Sequence, residues 1–162
     1  MCSSDLFLAN VVSPQIARIA DASHLRLRVR QILASAVLGA LVVTVASAAF
    51  ADPALALLGP AYAGLAVEFA LIMAISGVSF VAGVLNAVNV SRAWYAHYWL
   101  AIPATLIGQG LVATRVDVST VTGALALAGV SSVALLAVYG FICARGVAQF
   151  AGSRSATPAP QA

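Results

Sequence analysis

The feature that most constrains this chain is a long apolar run between Tyr62 and Arg92. Glu68 is the only charged residue within the run, and Asn86 and Asn89 lie near its far end. A core helix of a soluble protein rarely needs so long an apolar run. A membrane does, because about 20 residues at about 1.5 Å each cross about 30 Å of hydrocarbon. The run therefore predicts a helix that spans a membrane.

The composition supports the same class of protein. Of the 162 residues, 62% are hydrophobic and 8% are charged, whereas soluble domains carry about 25% charged residues. The chain contains no Lys, and its eight basic residues are arginines between apolar segments, so nucleic-acid binding is not expected. Cys2 and Cys143 form no CxxC or Cys/His pattern, so neither a metal site nor a disulfide framework is expected.

The order of apolar and polar segments predicts an all-α, polytopic transmembrane helix bundle with four full spans and a partial N-terminal helix. The basic stretch at 21–31 also alternates with period two, but a charged cluster just before a long apolar run favours a loop that enters a helix. An interfacial amphipathic helix is the alternative for 7–20. The predicted segments are a non-native leader at 1–6, a partial transmembrane helix at 7–20, a basic cytoplasmic loop at 21–31, spans at 32–50, 62–89, 93–113 and 120–144, outer loops at 51–61 and 114–119, and a cytoplasmic tail at 145–162, disordered from about 152.

The arginines predict the topology of the chain. If the loop at 21–31 is cytoplasmic, alternation of the spans places seven of the eight arginines inside and only Arg115 outside, as the positive-inside rule requires. We therefore expect a multi-pass protein of the cytoplasmic (inner) membrane. The residues expected to set its topology and to contact anionic lipid headgroups are Arg26, Arg28, Arg30 and Arg92. Binding of a substrate phosphate is the alternative role for the first three.

Four polar residues within the predicted spans are candidates for a cavity or for ion coupling. Glu68 lies about 9 Å along the helix from the outer end at Tyr62. It is expected either to have a functional role, in proton coupling or in lining a polar cavity, or to reach interfacial water. Asn86, Asn89 and Gln109 could contact a polar headgroup, or they could form hydrogen bonds between helices.

Signatures of catalysis are missing from the sequence. It contains no HExxH, no GxSxG and no glycine-rich phosphate loop, and no pair of carboxylates falls on one helix face. We therefore expect neither an enzyme nor a cofactor.

The order of the segments resembles the C-terminal half of a polysaccharide or O-antigen flippase, in the multidrug/oligosaccharidyl-lipid/polysaccharide exporter superfamily. A proline-containing helix end, VVSPQIARIAD, leads into the basic stretch HLRLRVR. The following ALALLGPAYAGLAVEFALIMAISGV is similar to the family's LfGpxYxxA turn and helix, and NAVNVSRAWYAHYW is similar to its small cytoplasmic loop. The resemblance covers about residues 7–147.

The resemblance implies two helical lobes around a central cavity, which move a lipid-linked oligosaccharide between leaflets by alternating access. The expected partners are then membrane lipids, the lipid-linked oligosaccharide and a missing N-terminal lobe of the same protein. An ion-coupled drug exporter of the same superfamily is the first alternative, with Glu68 as the proton carrier. A small four-helix membrane scaffold or assembly protein is the second.

Overall fold

The computed structural model describes residues 21–62 and 64–155. These residues form helices and turns and contain no strand, so the predicted all-α helical bundle is confirmed. The predicted leader at 1–6 and the partial helix at 7–20 lie outside the described residues.

The described chain contains three long helices and two shorter ones. The α-helices are α1 (Ala22–Ala49), α2 (Ala51–Leu58), α3 (Ala66–Ser91), α4 (Ala101–Ala113) and α5 (Val121–Ser155). Short 3-10 turns at Pro60–Tyr62 and Tyr98–Leu100 precede α3 and α4.

Helices α3 and α5 run parallel through the centre of the bundle. The Ser79 and Ser132 hydroxyl oxygens lie 2.8 Å apart, and further along both helices the Asn89 amide nitrogen lies 3.0 Å from the Tyr139 carbonyl oxygen. Positions therefore increase together along the two helices, as parallel packing requires.

Helices α1 and α4 cover the two sides of this central pair. Helix α1 is antiparallel to α3, since the Thr44 hydroxyl donates to the Met73 carbonyl at 3.4 Å while Val29 and Val88 share a core cluster. Helix α4 packs on α5 and has no helix-to-helix contact with α1 or α3. The helices consequently lie in the order α1, α3, α5, α4 across the bundle.

Three helices are long and apolar enough to cross a membrane, over Ser23–Ala49, Ala66–Ser91 and Val121–Gly152. Their outward faces are covered with large aliphatic side chains; Leu38 and Val45 of α1, for example, are 62% and 60% exposed. Such a continuous apolar surface is stable in contact with lipid, whereas in water it would promote aggregation. These helices indicate a multi-pass membrane protein.

The prediction of a loop at 21–31 is wrong, because α1 begins at Ala22. The Asp21 carboxylate caps the helix by accepting the Ser23 backbone N–H at 3.4 Å. Leu25 and Val29, one helical turn apart, are buried against the bundle, whereas Leu27 is exposed. The arginines at every second position therefore lie on a helix and not on a strand or loop. The buried residues of this helix are four positions apart.

The segment predicted as a full span at 93–113 is shorter in the structure. Ala93 has a left-handed φ of 55°, and the helical unit extends only over Tyr98–Ala113, about 24 Å of helix. Pro103 lies in the first turn of α4, where its missing N–H removes no intrahelical hydrogen bond. The four expected full spans thus become three long apolar helices and a shorter fourth.

Two further boundaries differ from the prediction. The expected outer loop at 51–61 contains α2, because Asp52 and Pro53 are favourable in a first helical turn. Helix α5 does not end near Ala144 but continues to Ser155, which overlaps the segment predicted as disordered from about 152. Arg145 therefore lies within α5, and its guanidinium is 5.1 Å from the centroid of the Phe141 ring on the same helix.

Candidate functional site

Most of the described arginines gather at one end of the bundle. The first turns of α1 carry Arg26, Arg28 and Arg30, and they lie beside the end of α3 because α1 is antiparallel to it. Arg92 caps α3, with its guanidinium 4.4 Å from the centroid of the Phe150 ring. We call this the basic end. Arg115 lies in the connection between α4 and α5, at the opposite end.

Asp21 is the one described acid at the basic end. Hydrogen bonds from the Ser23 hydroxyl and backbone N–H lower the pKa of Asp21 below its usual value. Its carboxylate is therefore engaged with the first turn of α1, and the arginines of the basic end outnumber it. The other acids that the structure describes, Asp52, Glu68 and Asp117, lie at the opposite end of the bundle.

The His97 imidazole contributes a further contact at the basic end. An Arg145 guanidinium nitrogen lies 3.3 Å from His97 Nε2, and the His97 ring meets the Phe141 ring edge-on at 5.8 Å between centroids. Because a guanidinium only donates, His97 Nε2 accepts this hydrogen bond. The contacts of His97 with Arg145 and Phe141 therefore hold the connection between α3 and α4 against α5.

Asn89 lies in the last turn of α3, at the interface with α5. Its side chain is fully buried, and its amide nitrogen donates to the Tyr139 carbonyl oxygen at 3.0 Å. Its amide oxygen, also buried, has no hydrogen-bond partner among the described residues. The side chain thus joins two helices.

The two other candidate amides also join neighbouring segments. Asn86 accepts a hydrogen bond from the Tyr98 hydroxyl at 2.7 Å, and Gln109 donates to the Ser131 hydroxyl at 2.8 Å. The contact between Ser79 and Ser132 was missed from the sequence, because serines are too common in apolar helices to be singled out. All three candidate amides therefore form hydrogen bonds to a neighbouring helix or turn.

Glu68 lies apart from these amides. It is in the first turn of α3 and is half-buried, and its position is about 31 Å along the helix from Asn89. One carboxylate oxygen is buried and has no hydrogen-bond partner in the described part of the chain. The structure therefore does not bring the predicted polar candidates together into one site.

An open groove lies between α1 and α5 at the basic end. Its volume is about 550 Å³, and its apolar walls are formed by both helices, with Leu85 of α3 at its base. Arg26 and Arg30 line the same groove and are exposed. The sequence contains no signal for this groove, because the α1 residues and the α5 residues that form its walls lie more than 100 positions apart along the chain.

Among the described residues, no group of three His, Cys, Asp or Glu side chains is placed to hold a metal ion. No family model matches the chain, and neither does any curated protein or solved structure.

Proposed function

We propose that this chain is part of a membrane transporter that flips a lipid-linked oligosaccharide across the cytoplasmic membrane by alternating access. The observation that supports transport most directly is Glu68, which has a buried carboxylate oxygen without a partner among the described residues. A buried polar atom without a partner costs about 1–3 kcal/mol, and more when it is charged. An ionisable side chain within a spanning helix is by default a sign of function.

The position of Glu68 fits a coupling role. The first turn of α3 favours a negative charge, since unsatisfied backbone N–H groups give a helix N-terminus a partial positive charge. A carboxylate there can exchange a proton with water at the membrane surface and respond to movement of the neighbouring helices. A scaffold held together by packing alone has no need for such a group.

The choice of substrate is supported by the sequence pattern. The basic stretch, the Gly59-Pro60 turn before Tyr62 and the aromatic connection after Arg92 occur in the order expected for an oligosaccharide flippase. An N-terminal lobe of the same protein would complete the substrate cavity in this proposal.

The test is Glu68→Gln in the full reading frame that contains this chain, reconstituted into vesicles with a fluorescent lipid-linked oligosaccharide. The amide keeps the size of the side chain but cannot be ionised, so we expect transport to fall at least tenfold. The matched control is Asp117→Asn, which removes an exposed carboxylate at the same end of the bundle and is expected to leave transport unchanged. Unchanged transport by the Glu68 variant at normal expression would contradict the proposal.

A drug exporter of the same superfamily is the second candidate, and the same acid favours it, because Glu68 is the only acidic residue within the three long apolar helices that the structure describes. The two candidates differ in substrate. Glu68-dependent movement of a lipophilic cation, with no movement of the lipid-linked oligosaccharide, would select the exporter.

A further inference from the structure

We infer that the groove between α1 and α5 is a binding site for one anionic phospholipid of the surrounding membrane, with its phosphate held by Arg26 and Arg30. This lipid would be a bound component of the bundle and not the transported substrate. The inference does not depend on the proposed transport function.

The walls of the groove suit hydrocarbon chains. Val29, Leu33, Leu85 and Val147 line it with aliphatic side chains, and Gly140 leaves α5 without a side chain at that level. The groove extends over about 10 Å of α1, from the level of Arg26 to that of Leu33. Its volume of about 550 Å³ is within the range of about 300–1,000 Å³ that small-molecule sites occupy.

The groove exists because α1 and α5 both pack mainly on α3 and make few contacts with each other. At the basic end the two helices therefore form two walls with Leu85 of α3 between them. Ala144 and the two arginines along the walls are exposed, so a lipid can enter sideways from the membrane.

The charge of the groove favours an anion. Arg26 and Arg30 are one helical turn apart, so they extend from the same face of α1, where two like charges repel each other. Asp21, the one described acid at this end, is hydrogen-bonded to Ser23. A phosphate would relieve the repulsion, and guanidinium groups match phosphate oxygens in a two-pronged geometry.

The depth of the arginines matches the headgroup region. Arg26 lies three residues after the start of the apolar segment at Ser23, or about 4.5 Å into it, and Arg30 lies one further turn along. Long arginine side chains at such positions extend toward the membrane surface. Basic pockets between spanning helices on the cytoplasmic side are typical sites for anionic headgroups.

Arg28 supplies an internal comparison. It lies on a different face of α1, where it lines a separate depression of about 450 Å³ with His24, Leu27 and Gln31. Its charge is the same as that of Arg26 and Arg30, and its distance from the membrane surface is similar. A general attraction between cations and anionic lipid would depend on all three arginines equally. A lipid bound in the groove would depend on Arg26 and Arg30, which line it.

The experiment is native mass spectrometry of the purified chain in detergent, titrated with phosphatidylglycerol or with phosphatidylcholine of identical acyl chains. We expect one phosphatidylglycerol molecule to be retained at a concentration at least tenfold lower than is needed for phosphatidylcholine. The double variant Arg26→Gln/Arg30→Gln is expected to lose this preference at least tenfold. Arg28→Gln and Arg115→Gln are expected to keep it.

A second variant tests the groove without changing its charge. Ala144→Leu places a larger side chain in the groove, so phosphatidylglycerol retention should fall several-fold while the helix content measured by circular dichroism is unchanged. Equal retention of the two lipids would overturn the inference. So would an equal loss in Arg28→Gln, which would indicate general cationic attraction, or displacement of phosphatidylglycerol by lower concentrations of a polyprenyl diphosphate, which would indicate a substrate site.

Discussion

At the scale of single residues, the polar groups of the spanning helices hold the bundle together more than they line a cavity. Asn89 joins α3 to α5, Gln109 joins α4 to α5, and Asn86 holds Tyr98 of the next segment. In lipid, where hydrophobic association between helices is weak, close packing and such hydrogen bonds determine which helices are neighbours. Glu68 has a buried carboxylate oxygen without a partner among the described residues, as the Asn89 amide oxygen also does, but unlike Asn89 it lies in the first turn of α3.

Asn89→Ala should destabilise the bundle. The substitution removes the hydrogen bond to Tyr139 and leaves a space in the most buried part of α3, so we expect the free energy of unfolding to fall by about 1–2 kcal/mol. Denaturant titration in mixed micelles measures this change. Val90→Ala is the control, since Val90 is exposed and is expected to have little effect. Equal stability of the Asn89 variant and the unaltered chain would contradict this role.

The sequence identified these residues but could not rank them. Asn86 and Asn89 are three positions apart, so both lie near the same helix face, yet only Asn89 is fully buried. Which amide is buried depends on where α5 and Tyr98 pack against α3. The residues that make these contacts are about 10 to 50 positions away from the amides along the chain.

At the scale of elements, the start of α1 shows how a helix can be mistaken for a loop. The alternation of Arg26, Arg28 and Arg30 with apolar residues masks a buried pair, Leu25 and Val29, at helical spacing. The Asp21 cap supplies the start signal, because an aspartate before a helix satisfies backbone N–H groups that have no intrahelical partner.

Asp21→Ala should therefore loosen the first turn of α1. We expect a few-fold loss of hydrogen-exchange protection at Ser23 and its neighbours, with Asp21→Asn retaining most of the protection because asparagine also caps helices. The pKa of Asp21 is lowered in the folded chain. The capping contribution is thus fully present above the ordinary value of 3.8 and is lost as the pH falls through the lowered pKa. Protection in the Ala variant equal to that of the unaltered chain at neutral pH would contradict the capping role.

The other element boundaries depend on contacts between distant residues. Arg145 looks like the end of a span in sequence, yet His97 and Phe141 accommodate its guanidinium and α5 continues. Trp94 looks like an interfacial aromatic, but it packs against the core cluster of the basic end, so close to Gly146 that a β-carbon there would not fit. Neither contact leaves a local signal in the sequence.

At the scale of the whole molecule, composition determined the class of fold. A chain that is 62% hydrophobic and 8% charged has too few polar residues to cover helices of this length in water, so its apolar faces must be covered by lipid or by other helices. The gathering of arginines at one end also follows from the sequence, because alternation of the apolar segments places all of them except Arg115 on one side. The groove between α1 and α5 could not be predicted, since it depends on both helices packing on α3 and separating from each other.

The measurement that tests this architecture most directly is cysteine accessibility on the two sides of the membrane. In a chain with Cys2→Ser and Cys143→Ala, single cysteines replace Ser23, Ala96 and Val116, and intact cells are treated with a membrane-impermeant maleimide. Ser23 and Ala96 lie at the basic end and Val116 follows α4 at the other end, so the cysteine at 116 should be labelled while those at 23 and 96 react only after permeabilisation. Labelling of positions 96 and 116 from the same side would show that α4 does not cross the membrane, and would contradict this architecture.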